Sequence, residues 1–128
     1  MAERPDAFWL PRAEQRTILI TARQQARLVC SLLNGELPVS NASIEKLTEV
    51  MQLKSTHKGK LYGKTGSGLR GSKEGPASGT DFDMGWLVGF VESQGKRYAY
   101  ACLVLGPGLS GADARRITES LFSAAGLL

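Results

Sequence analysis

Tyr62-Gly63-Lys64-Thr65-Gly66-Ser67-Gly68, followed after a glycine-rich gap by Gly85-Trp86-Leu87-Val88-Gly89-Phe90-Val91-Glu92, is the stretch on which the architecture turns. The chain around it is rich in aromatic and aliphatic residues, which predicts strands over 61–67, 84–92 and 97–105. Ser93-Gln94-Gly95-Lys96 links the last two as a glycine-containing hairpin turn, so these strands are expected to run antiparallel. The run from Gly85 to Val91 is apolar at nearly every position and therefore calls for cover on both faces. Between the first two strands, residues 66–80 carry Gly66, Gly68, Gly71, Gly75 and Gly79, and this predicts a mobile loop.

Working outward, the upstream chain changes period. Thr21 stands three residues before Gln24 in a capping-box arrangement, ahead of Ala22, Ala26, Leu28, Val29, Leu32 and Leu33. A helix over 22–33 follows, stopped by Asn34-Gly35. Pro38-Val39-Ser40 restarts the chain, and Ile44, Leu47, Val50 and Met51 predict a second helix over 41–53. Downstream, Ser110 caps a last helix that carries Ala114, Ile117, Leu121 and Ala125 on one face, with Gly126 just past its end. The order helix, helix, strand, strand, strand, helix gives an α+β class: an antiparallel sheet of about three strands with flanking helices.

The chain has 128 residues, 42% hydrophobic and 22% charged, a balance suited to one domain. It shows no long apolar run to span a membrane, and Glu3, Arg4, Pro5 and Asp6 stand where an export signal would carry its apolar core. Cys30 and Cys102 lie in apolar surroundings without metal-type spacing and are expected as buried free thiols. The net charge of +4 comes from Lys and Arg scattered among acids, which argues for a solvated surface and against a nucleic-acid partner. No metal or cofactor is expected.

Three anchors in order carry a resemblance. Asp6-Ala7-Phe8-Trp9-Leu10, then Ile20-Thr21-Ala22-Arg23-Gln24-Gln25 with Glu36-Leu37-Pro38-Val39-Ser40, then Lys64-Thr65-Gly66 with Gly85 to Glu92 and Lys96-Arg97-Tyr98-Ala99-Tyr100-Ala101 form the series. Together they resemble the C-terminal part of class D serine β-lactamases and related penicillin-sensing and penicillin-binding transpeptidase domains. The resemblance implies that residues 1–128 form the C-terminal portion of such a domain, with a partial β-lactamase/transpeptidase-like fold. It implies a β-lactam or a peptidoglycan-peptide-like small molecule as ligand, periplasmic placement, and hydrolysis through a serine acyl-enzyme in the intact domain. A non-catalytic sensor or interaction module is the alternative.

By that resemblance Lys64 is the catalytic cation, Thr65 donates to a substrate carboxylate, and Gly66 lets a flat ligand lie against the strand. The amide of Ser67 forms one arm of an oxyanion hole, a contribution of ~3 kcal/mol to the transition state when intact. There its amide matters more than its side chain. Trp9 corresponds to a tryptophan that supports a carboxylated lysine. Arg115 is taken, with a one-residue gap, as the clamp for a ligand carboxylate; without the gap the match falls on Ala114.

The family's serine nucleophile has no convincing counterpart here. Ser43-Ile44-Glu45-Lys46 and Ser55-Thr56-His57-Lys58 fit Ser-x-x-Lys, but about one such string is expected by chance at this composition. His57, the only histidine, has no acid partner in the pattern. A phosphate-binding loop ending in Gly63-Lys64-Thr65 would need a glycine where Lys58 stands and a helix after Thr65. The expectation is therefore a ligand-recognising wall without its nucleophile, and a partner supplying the missing half, or self-association, to cover its exposed sheet.

Overall fold

A computed structural model describes residues 20–69 and 82–128. Helix α1 (Ala22–Leu33) opens on the predicted capping box: Thr21 Oγ1 accepts from the Gln24 N–H at 3.1 Å, and Gln24 Oε1 accepts from the Thr21 N–H at 2.9 Å. Helix α2 (Asn41–Met51) starts where the Ser40 hydroxyl accepts from the Ser43 N–H at 3.2 Å. It ends two residues earlier than the apolar spacing indicated. Gln52 turns to an extended backbone and begins β1 (Gln52–Ser55), a strand the sequence did not signal. Four residues are too few to show a period of two, so only pairing with a neighbour makes this segment a strand.

That neighbour is β2 (Gly59–Gly68), followed by β3 (Met84–Ser93) and β4 (Lys96–Leu105). The sheet has the order β1-β2-β3-β4, antiparallel throughout. The class expected from the sequence, an antiparallel α+β sheet with flanking helices, therefore stands, with four strands in place of about three. Gln94 and Gly95 both take positive φ, 53° and 76°, the handedness that matches a two-residue turn to the twist of β3 and β4. The Lys64-Thr65-Gly66 segment lies inside β2, which continues as strand through Gly68 where a phosphate loop would open a helix, and this removes that alternative.

Alternation places Leu61, Gly63, Thr65 and Ser67 of β2 on one face with Gly85, Leu87, Gly89 and Val91 of β3. Helix α3 (Gly111–Ala124) covers this face. Leu61, Leu87 and Val91 are fully buried there, and Leu53, Tyr100, Phe122 and Leu127 close around Leu61, Val91 and Leu128. On the other face the register partners Tyr62 and Phe90 stack with ring centroids 4.5 Å apart and planes 13° from parallel.

The seating of α3 differs from the apolar stripe expected for it. Gly111, Ala114 and Thr118 are its buried residues, whereas Leu121 is 63% exposed and Ala125 is exposed. Small residues face the sheet because the helix approaches too closely for larger ones. A Cβ on Gly85 would lie 1.9 Å from the Ser110 carbonyl oxygen, and one on Gly111 would lie 2.8 Å from Thr65 Cβ. The cysteines also depart from expectation. Both are free, but Cys30 is exposed on α1 and Cys102 is only half-buried. Among the described residues no helix is long and apolar enough to cross a membrane.

Candidate functional site

Backbone direction decides which edge of β2 is available. The Gly68 carbonyl accepts from the Asp83 N–H at 3.2 Å, so Gly68 turns its polar groups toward β3. In an antiparallel strand this alternates, and Gly66 and Lys64 point the same way while Thr65 and Ser67 point outward. The Gly59 carbonyl, accepting from the Thr56 N–H at 2.8 Å on the far side, fits the same alternation. β1 pairs with β2 only as far as Tyr62. From Gly63 to Gly68 the outer edge therefore carries no strand among the described residues, and the N–H and C=O groups of Thr65 and Ser67 face out along it.

Lys64 extends from the face opposite α3 and curls over that edge: its ammonium donates to the Thr65 carbonyl at 2.6 Å. It has no carboxylate partner among the described residues. The Thr65 hydroxyl has no hydrogen-bond partner among the described residues either. A Cβ on Gly66 would meet only Trp86 Cβ, at 3.7 Å, so the strand surface is open there. Lys64, Thr65, Gly66 and Ser67 thus lie along one edge that is unpaired among the described residues, with a cation, two residues whose backbone groups face outward and an open glycine within four residues.

The strand is fixed from behind by two long-range hydrogen bonds. Gly111 N–H, in the first turn of α3, donates to the Ser67 hydroxyl at 2.9 Å. Tyr100 of β4 reaches across β3 and donates to the Tyr62 carbonyl at 2.8 Å. Its path passes over Gly89 and Gly63, where a Cβ on Gly63 would lie 2.6 Å from the Tyr100 hydroxyl. Burial holds the Tyr100 hydroxyl well above the usual tyrosine range, with Cys102 and Glu119 raising it further and Arg115 lowering it. The first turn of α3 is itself tied down by Asp113, whose carboxylate accepts from the Ser110 N–H at 2.9 Å. That backbone hydrogen bond, aided by Arg116, holds the Asp113 carboxyl below its ordinary value.

Arg115 is not gathered with these residues. Its Nε donates to Glu119 at 2.9 Å and a terminal nitrogen donates to the Leu53 carbonyl at 3.0 Å, which ties α3 to β1. Lys54 completes this group, 3.6 Å from Glu119. Ala114, the ungapped match, is fully buried. Trp9 lies outside the described residues. Ser43 is exposed in the first turn of α2 and bonds to Ser40, and Ser55 is exposed on β1; neither shares a hydrogen bond with a lysine or carboxylate among the described residues. Among those residues no cluster of His, Cys, Asp or Glu forms a metal site.

Sequence reasoning did not find the parts played by Gly111, Tyr100 and the Ser67 side chain. Ser67 and Gly111 are 44 residues apart and Tyr62 and Tyr100 are 38 apart, and no local period links such pairs. The one available signal was the glycine directly after the capping serine, a position open to many residue types.

Comparison with known proteins bears on the family and the fold. The chain is 30% identical over 108 residues to the methicillin resistance mecR1 protein of Staphylococcus aureus, covering 84% of this chain and 17% of that one. It is 28% identical over 123 residues to the probable beta-lactamase YbxI of Bacillus subtilis, covering 96% and 40%. A class D beta-lactamase from Bacillus subtilis superposes with a TM-score of 0.74 at 27% identity, covering 96% of this chain and 45% of that structure. The chain therefore spans less than half the length of each of these relatives. Residues 5–124 match the transpeptidase family, described as the penicillin binding protein transpeptidase domain, and with the class D-like sheet this makes the chain a member of that family.

Proposed function

We propose that the open edge of β2 recognises an anionic β-lactam or a related acyl-peptide, with Lys64, Thr65, Gly66 and Ser67 as the contact residues. The observation that carries this reading is the unpaired edge itself. Beyond Tyr62 it turns backbone groups outward beside the Lys64 ammonium, and among the described residues neither a strand pairs with that edge nor a carboxylate with that ammonium. Lys64 attracts the ligand anion and lowers the cost of moving a proton next to an acyl centre. The Thr65 hydroxyl donates to the ligand carboxylate, Gly66 leaves room for a flat ring, and the outward Ser67 N–H stabilises a developing oxyanion. Arg115, ion-paired to Glu119 and bonded to the Leu53 carbonyl, would have to leave those partners to clamp a ligand carboxylate and is left outside this contact set.

In this reading hydrolysis through a serine acyl-enzyme needs a nucleophile from outside these 128 residues, carried by a segment that also covers the exposed sheet. Similarity to mecR1, a protein named for methicillin resistance, supports a second version in which the same edge binds the lactam to report it. Titration of the chain with benzylpenicillin, followed by backbone NMR, tests the binding. Saturable shifts centred on Thr65, Gly66 and Ser67, weakened by Thr65→Val, are expected. Shifts centred elsewhere would remove the reading. Intact-mass measurement after the same incubation is expected to show no adduct, and acylation of Ser43 or Ser55 would place the nucleophile inside this chain.

A further inference from the structure

The geometry points to the Ser67 side chain as a positioning group: by accepting the Gly111 N–H, it locks the outward edge of β2 to the first turn of α3 and sets the direction of the Ser67 amide. This inference rests on the proposed lactam-binding edge and assigns a part to a side chain that would otherwise be one more exposed hydroxyl.

Three observations converge on it. The hydrogen bond is 2.9 Å long and joins two elements 44 residues apart, so it fixes tertiary geometry rather than a local turn. Its two ends sit in the closest helix-to-sheet approach described above. A Cβ on Gly111 would come within 2.9 Å of the Gly66 carbonyl oxygen and 3.1 Å of the Gly66 nitrogen, and a Cβ on Gly85, the register partner of Ser67, would strike the Ser110 carbonyl. Gly85 and Gly111 therefore let the helix start touch the strand, and Ser67 supplies the hydrogen bond that holds it there. The third observation is direction. The Ser67 side chain lies on the α3 face while its N–H lies in the plane of the sheet and faces the free edge. Holding the side chain removes rotation of that residue about the strand axis, which is the freedom that would swing the amide away from a ligand.

A free strand edge is otherwise compliant. β1 stops at Tyr62, and nothing among the described residues pairs with the outer side of Thr65 or Ser67. Preorganised donors contribute to recognition because their reorganisation is complete before the ligand arrives. One hydrogen bond from a packed helix to the residue that bears the donor is a direct way to achieve this.

Ser67→Ala removes the acceptor, and Ser67→Thr keeps a hydroxyl on a residue suited to a strand. Two quantities are read on the full chain: hydrogen exchange at the Gly111 amide, and the Kd for benzylpenicillin from shifts at Thr65, Gly66 and Ser67. In Ser67→Ala, exchange at Gly111 is expected to accelerate at least about tenfold and the Kd to rise about five- to tenfold, while the melting temperature stays within a few degrees. Ser67→Thr is expected to restore both. An unchanged Kd in Ser67→Ala, or a loss that Ser67→Thr fails to recover, would overturn the positioning role alone. Absence of benzylpenicillin binding by the unmodified chain would instead bring down the lactam reading, and the positioning role with it. Gly111 exchange would still show separately whether the hydrogen bond exists.

Discussion

β3 and β4 pair over ten residues in unbroken register, and both are apolar along most of their length, yet they are buried very differently. Six of the ten residues of β3 are buried and none of β4 is. The difference is one of position. β3 lies between two strands and beneath the small-residue face of α3, so it loses water along both edges and on that face, while Met84, Trp86, Val88 and Glu92 on the other face stay half-buried. β4 ends the described sheet, and beside it the helix presents Leu121, 63% exposed, above a cleft of about 450 Å³ lined by Tyr100, Cys102, Thr118 and Phe122. Within that cleft the Thr118 hydroxyl is buried without a hydrogen-bond partner among the described residues. The tight side of the molecule also holds the candidate site, because the close approach that buries β3 brings Gly111 onto Ser67.

The contrast can be broken most severely at Leu87. Its side chain is fully buried on β3, and Leu87→Ala should cost about 3 kcal/mol in urea unfolding. Leu105→Ala, on the half-exposed end of β4, should cost less than about 1 kcal/mol. Equal losses would mean that β4 is covered in solution.

Next in size is Gly85→Ala, expected to cost about 2 kcal/mol because the new methyl meets backbone of Ser110 and Gly111 that has no flexible end to move aside. Gly66→Ala, with only Trp86 Cβ at 3.7 Å, should leave stability within about 0.5 kcal/mol and should hinder the ligand instead. A stable Gly85→Ala protein would refute the tight helix seating on which the site depends.

Tyr100→Phe should cost about 1 kcal/mol through loss of the bond to the Tyr62 carbonyl. It also changes the alkaline behaviour. The folded-state pKa of Tyr100 is raised above its ordinary 10.0, so its contribution is complete below that pH and is lost as pH rises from there through the folded value. The melting temperature of Tyr100→Phe should accordingly fall less steeply above pH 10 than that of the unmodified chain.

The smallest effect is expected at Asp113, on the tight end but near the surface. Its folded pKa is lowered below the ordinary 3.8, so its stabilisation is present above that pH and is lost as pH falls through the folded value. Asp113→Asn should flatten the acid limb of the melting profile and leave the neutral region nearly unchanged. An unaltered acid limb would show that the Ser110 cap does not depend on the carboxylate.

Much of this was legible in the residues. Thr21 with Gln24, Ser40, the Gln94-Gly95 turn and the long apolar strands each act through a few consecutive positions, and their hydrogen bonds or periods are visible in a short window. The Lys64-Thr65-Gly66 edge was legible as a strand for the same reason. β1 was hidden because four residues carry no period, and the face of α3 was misread because its apolar stripe includes Leu121 and Ala125, which the fold leaves in water.

Taken alone, the sequence determined the three helices, the three long strands and the hairpin between the last two, since these follow from local sterics, capping and hydrophobic period. Only the tertiary structure decided that Gly85 and Gly111 would be points of contact, that Arg115 would hold Glu119 and Leu53, and that Ser67 would be tied by its side chain as well as offering its amide. Most of those outcomes depend on which surfaces meet between elements far apart in the chain, as with Ser67 and Gly111, 44 residues apart, and close packing, not local preference, selects among them.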